Sequence, residues 1–235
     1  VAGIINANSG TTVNFTVNCE ASLDGNPVRI KGLVIADAES LSSSEELKVS
    51  ADGDWKVIEV KKNIGAGSYE IEKNNIAGTV QEVHLFNGND NNTAAITVLS
   101  FNETAYDTEA NNYEISFNVE VKGAGLTAIA LGLLMPELDR GDAPESYGEA
   151  LHIIDNTEFF SDQIPLSTTV NLNTSTYTPA TEIPATNISY LGSTPPDRDF
   201  NTQYSVDALG DDNDGGPTAE EDVLPANLKR FYYRN

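Results

Sequence analysis

The sequence is short of cysteine, histidine and positive charge, and each shortage closes off a class of chemistry. Cys19 is the one cysteine in 235 residues, so no intrachain disulfide can form. A secreted protein in that position must find its rigidity elsewhere, and a bound metal is the usual substitute. The two histidines, His84 and His152, do not fall at zinc-ligand spacing with each other or with Cys19. Lys and Arg number 13 against 36 Asp and Glu, a formal charge of −23. A surface so acidic repels nucleic acid and anionic lipid, so neither is an expected partner. No apolar run has the length of a membrane span, and no signal segment opens the chain. It begins at Val1 and is expected to be a monomeric module cut from a longer polypeptide. G-x-S-x-G, H-E-x-x-H and P-loop strings are missing, as are heptads, βαβ alternation and internal repeats.

What is present is alternation with period two. Thr11 to Val17, Trp55 to Val60, Thr79 to Phe86, Ala95 to Phe101 and Tyr113 to Val121 have strand composition. Tyr113, Ile115, Phe117, Val119 and Val121 share one face of the cleanest of them. Val28 to Ile35 reads as one further strand, and Ala36 to Glu46 as an exposed loop or short helical turn. Leu47 to Ser50 and Trp55 to Val60 flank Asp52-Gly53-Asp54, a hairpin signal. Leu126 to Met135 is uncharged and reads as a strand buried on both faces. Turn signals every eight to twelve residues or so indicate a β-sandwich or jelly roll. From Asp139 onward the composition shifts, with eight of the ten prolines and few apolar runs. The expected organisation is a single domain over residues 1–235: main sandwich strands in 1–138, then long acidic, proline-containing loops and closing strands in 139–235.

The carboxylates gather in two places. Asp139-Arg140-Gly141-Asp142-Ala143-Pro144-Glu145-Ser146-Tyr147-Gly148 sets two carboxylates, three residues apart, beside two glycines and a proline, a composition for a tight turn and not for a helix interior. The segment Asp207 to Asp222 packs acids densely enough that they repel unless solvated or bridged by a hard cation. Asp211, Asn213, Gly216 and Asp222 follow an EF-hand count, but Gly215 lacks the oxygen that position five needs, so an EF-hand is rejected. The two segments are expected to meet and share a calcium ion. Arg140-Gly141-Asp142 also spells the tripeptide that integrins read, though an Asp142 committed to a turn could not serve a receptor.

Several strings taken together resemble a known family. They are Gly141-Asp142-Ala143-Pro144-Glu145-Ser146-Tyr147-Gly148, Ala150-Leu151-His152, Tyr190-Leu191-Gly192 with Pro196-Asp197, Ala208-Leu209-Gly210-Asp211-Asp212, and Glu220-Glu221-Asp222-Val223-Leu224-Pro225. With Ile30 to Val34 and Thr127 to Gly132, they resemble the lectin-like second non-repetitive domain of CshA-type surface adhesins, and segments of giant calcium-dependent (RTX-type) adhesins. Asp199 stands where that pattern has Glu, and no Gly separates Asp222 from Val223. The resemblance implies an all-β, lectin-like sandwich at the bacterial cell surface, not an enzyme, that binds a host protein or carbohydrate. Ca2+ is the expected cofactor, with Asp139, Asp142, Asp197, Asp211, Asp212 and Asp222 as ligands. A secreted glycoside hydrolase and a ligand-free stalk spacer are the alternatives, and the binding face is left open.

Overall fold

A computed structural model describes residues 2–23, 25–37, 41–62, 69–88, 94–134, 137–154, 162–172, 199, 202–206 and 210. The chain forms two compact units, Val1–Met135 with Phe160–Thr181, and Pro136–Phe159 with Glu182–Asn235.

The first unit is all β. In chain order its strands are β1 (Ala2–Asn6), β2 (Thr12–Cys19), β3 (Ala21–Leu23), β4 (Asn26–Val28), β5 (Gly32–Asp37), β6 (Glu46–Ala51), β7 (Trp55–Lys62), β8 (Glu70–Ala77), β9 (Val80–Phe86), β10 (Ala95–Phe101), β11 (Ile115–Lys122), β12 (Thr127–Leu134) and β15 (Thr168–Asn171). They build a five-stranded sheet, β1-β12-β5-β10-β7, and a six-stranded sheet, β15-β8-β9-β6-β11-β2. Every pairing is antiparallel. Leu33, Ile35, Val57, Leu99 and Ile129 of one sheet join Leu47, Val49, Ile71, Val83, Leu85, Phe117 and Val119 of the other in one apolar cluster. The sheets therefore pack face to face as a sandwich, with alternate residues of each strand inside.

Four local expectations are corrected. The Val28 to Ile35 run is not one strand, because β4 ends at Val28 and β5 begins at Gly32. A Cβ on Gly32 would lie 1.7 Å from the Leu99 carbonyl oxygen, so β5 starts at the one residue that lets the backbones close. Residues 41–45 are not exposed: Leu41, Ser42 and Glu45 are buried. Asp52-Gly53-Asp54 makes no hairpin, since β6 and β7 lie in different sheets. Gly53, at φ +82°, turns the chain against Ala105, whose Cα would sit 2.5 Å from an added Cβ. Finally, β12 buries only its Thr127, Ile129 and Leu131 face, and Leu126 just before it is 64% exposed.

The segment 162–172 closes the first unit. Lys73, almost fully buried, donates from Nζ to Asp162 Oδ2 at 2.7 Å and to the Trp55 carbonyl. Its ammonium also lies 5.1 Å from the Trp55 ring centroid, which desolvation favours over an exposed pairing. Asp162 Oδ1 accepts the Val57 and Ile164 N–H groups. Trp55 itself is 1% exposed, so it is a core residue.

Candidate functional site: the signature turn

The second unit is built around a short ribbon. Strand β13 (Glu137–Arg140) pairs antiparallel with β14 (Leu151–Ile154), with Asp139 opposite His152 and Arg140 opposite Leu151. The signature octapeptide is the loop between them. Gly141 N–H donates to the Ala150 carbonyl at 3.0 Å and closes the loop at its base. Proline starts a single 3-10 turn over Glu145–Tyr147, in which Tyr147 N–H reaches the Pro144 carbonyl at 2.8 Å. Gly148 ends it at φ +83°, a conformation open to glycine at no steric cost. The two glycines and the proline of the string thus have a local reason.

Three carboxylates at and around this loop face inward. Asp139, Asp142 and Asp199 are all buried, Asp142 to 4% exposure. Asp142 Oδ2 accepts the Gly210 N–H at 2.5 Å, and its carbonyl accepts the Ser205 N–H at 2.8 Å. Asp199 Oδ2 accepts the Arg140 N–H at 2.7 Å, and Asp199 N–H donates to the Leu138 carbonyl at 2.9 Å. Buried carboxylates persist only when hydrogen-bonded or paired, and these bonds join stretches of chain about sixty residues apart. Gly210 lies so close to the Gln203 carbonyl that an added Cβ would sit 1.8 Å from that oxygen. The glycine of the A-L-G-D-D string is there because a backbone must pass in contact with another backbone.

Arg140 Nη1 bonds Glu149 Oε1 and, at 3.2 Å, Thr202 Oγ1. Together with the burial of Asp142, this removes Arg140-Gly141-Asp142 from receptor binding. Of the expected ion ligands, Asp139 lies buried in β13 and Asp142 buried in the turn that follows it. Asp197, Asp211, Asp212 and Asp222 lie outside the described residues, as do Tyr190 to Gly192, Phe231 to Tyr233 and the His152 side chain. Among the described residues no group of three His, Cys, Asp or Glu side chains converges to hold a metal. In the sequence Asp199 stands out only as a departure from the family pattern; nothing in its spacing reveals that it clasps the Arg140 backbone.

On the first unit, the outer face of the six-stranded sheet carries a charge network. His84 has Nδ1 3.0 Å from Glu72 and Nε2 3.1 Å from Glu46. Glu46 also binds Lys122 at 2.6 Å, and Lys48 binds Glu120 at 2.7 Å. The bond from Lys122 holds the Glu46 carboxyl below the usual range. Burial pushes Glu82 above it. A shallow polar depression of about 250 Å³ lies between Asn14, Thr16, Ser50, Glu82 and Asn118.

No curated protein and no solved structure matches the chain. A family model described as surface adhesin CshA non-repetitive domain 2 matches residues 1–135, which are the strands of the first unit up to β12. The signature segments lie beyond the matched stretch. The match places the chain among extracellular surface-binding modules, not enzymes, and no helix among the described residues is long and apolar enough to cross a membrane. With a two-sheet antiparallel sandwich filling that same stretch, the chain belongs to the family of the surface adhesin CshA non-repetitive domain 2.

Proposed function

We propose that this chain is the ligand-binding module of a large bacterial surface or secreted adhesin, that its ligand is a host protein or glycan, and that calcium stiffens its acidic second unit. Family membership over residues 1–135 carries the adhesion part of this reading. Support for calcium is local. Asp142 is buried on a turn that meets Gly210, the residue just before Asp211 and Asp212. Asp139 and Asp142 do not make a site alone, since a calcium ion takes six to eight oxygens or so. Asp197, Asp211, Asp212 and Asp222 would supply the rest. A bound ion would cancel repulsion that otherwise opposes gathering these acids.

The test is to measure thermal unfolding and attachment to host-cell layers with calcium and with excess chelator. Chelation is expected to lower the melting temperature by several degrees, because a ligand that binds only the folded state stabilises it by mass action, and to weaken attachment in parallel. Equal stability in both conditions removes calcium from the reading. Loss of stability with full attachment separates the ion from adhesion.

A further inference from the structure

A sheet edge exposes a row of backbone N–H and C=O groups, and proteins blunt such edges with short strands, lysine, proline, bulges or a covering segment. Three of the four edges of the sandwich are managed in this way. β15 has four residues and β1 has five. β7 carries Lys56, Lys61 and Lys62, and its Val57 backbone is already taken by Asp162 and Gln163. Among the described residues, β2 has none of these protections. Its eight residues, T-V-N-F-T-V-N-C, contain no charge and no proline, in a chain of formal charge −23. It pairs with β11 over eight consecutive positions without a register shift. Among the described residues no strand lies on its other side, and Thr12, Asn14, Thr16 and Asn18 are exposed.

A second observation lies beside this edge. Among the described residues, the sandwich is incompletely closed there. Ile4 of β1 and Ile129, Leu131 and Leu133 of β12 face Phe15 and Val17 of β2 across an apolar cavity of about 290 Å³. Leu133 is 44% exposed and Val13 is 38% exposed, although a sandwich interior would cover both. One more strand beyond β2 would bond its open backbone and drop every second side chain into this cavity.

We propose that the free edge of β2 is a docking site for an extended segment of another protein, apolar at alternate residues and neutral or basic overall. This deepens the adhesion reading, on which it rests, by giving that module a peptide-binding edge. Edge and cavity set the alternation, because only side chains on one face of the added strand reach the space between the sheets. Charge sets the partner: a second copy would bring two bodies of −23 together, whereas a basic segment is drawn toward the acidic surface.

The test uses the full chain and a synthetic peptide of about eight residues with alternating valine and lysine, matched to the length of β2. The control has the same composition in two blocks. Amide hydrogen exchange is followed with each. The alternating peptide is expected to bind and to slow exchange across Thr12–Cys19 by about tenfold or more, the block peptide to do neither. Val13→Lys and, from the opposite sheet, Leu133→Lys are each expected to weaken binding by about tenfold; the second keeps the test intact should the first disturb folding. No slowing at β2, equal binding of the block peptide, or unimpaired binding by both variants overturns the proposal. So does slowing of β2 that tracks protein concentration without peptide, which would make a second copy the occupant. Attachment to host-cell layers separates the two readings. Val13→Lys attaching as well as the parent removes the edge from adhesion and leaves the adhesion reading intact. A parent chain that takes the peptide but attaches to no host layer removes the adhesion reading alone.

Discussion

Single side chains with buried charge mark where this protein is most sensitive. Glu45 is 3% exposed, and its carboxylate accepts the Ser42 N–H at 2.6 Å, the Thr127 hydroxyl and the Ala124 N–H. It ties residues 41–45 to the β11–β12 connection. Glu45→Ala leaves those donors without their acceptor and is expected to cost about 3 kcal/mol, read as a lower urea midpoint at unchanged slope. The same carboxylate reports on pH. Burial pushes Glu45 up, but its hydrogen bonds outweigh burial and hold it below the usual range. Glu46 and Glu72 are also held low, Glu46 first by Lys122, Glu72 by its bonds from His84 and Thr169 against the pull of burial. A folded pKa below the unfolded one gives stability that is present above the unfolded value and lost as pH falls through the folded value. Stability is therefore expected to decline below about pH 4, near the ordinary carboxylate range. Glu82 has the opposite sign: burial raises it, so its contribution is present below the unfolded value and lost as pH rises through the folded one. Glu82→Gln is expected to be more stable than the parent at pH 7, with the gain vanishing near pH 3. Melting curves at the two pH values decide this, and an equal gain at both would contradict it.

Among the elements, the strands were the legible part. Ala95–Phe101 and the inward row Ile115, Phe117, Val119 and Val121 appear where alternation places them, because a half-buried strand writes its burial into every second residue. Connections were less legible. The D-G-D string flags a turn, but a turn that reverses a strand within one sheet and a turn that carries the chain to the facing sheet use the same residues. Only the Ala105 backbone against Gly53 distinguishes them. Gly53→Ala is expected to destabilise by more than about 1 kcal/mol, since both its φ and the space are wrong for a side chain. Lys73 was similarly hidden. In Y-E-I-E-K it reads as one more polar strand residue, yet it lies inside the fold against Trp55 and Asp162. Lys73→Ala removes the buried cation that Asp162 and the Trp55 carbonyl share and is expected to cost about 3 kcal/mol. Hydrogen exchange should show β15 loosening first, because Asp162 and Gln163 anchor the segment that carries it.

For the molecule as a whole, the question is what holds the signature turn. Asp142→Ala removes the acceptor for Gly210 N–H and is expected to cost about 2–3 kcal/mol. Asp142→Asn keeps an oxygen and removes the charge. Retained stability in the Asn variant, with or without calcium, assigns Asp142 to the turn alone; a loss equal to that of the Ala variant, seen only with calcium, assigns it to an ion. Composition and periodicity alone determined that this chain is an acidic all-β protein with a conformationally demanding turn at residues 141–148, because turn residues and period-two burial are local properties. Tertiary structure decided which sheet each strand joined, that Glu45 and Lys73 lie inside, that Asp199 and Gly210 close on the signature turn, and that no strand among the described residues pairs with the outer edge of β2. Each of those depends on which distant backbone comes to lie alongside, and a local pattern carries no record of its remote neighbour.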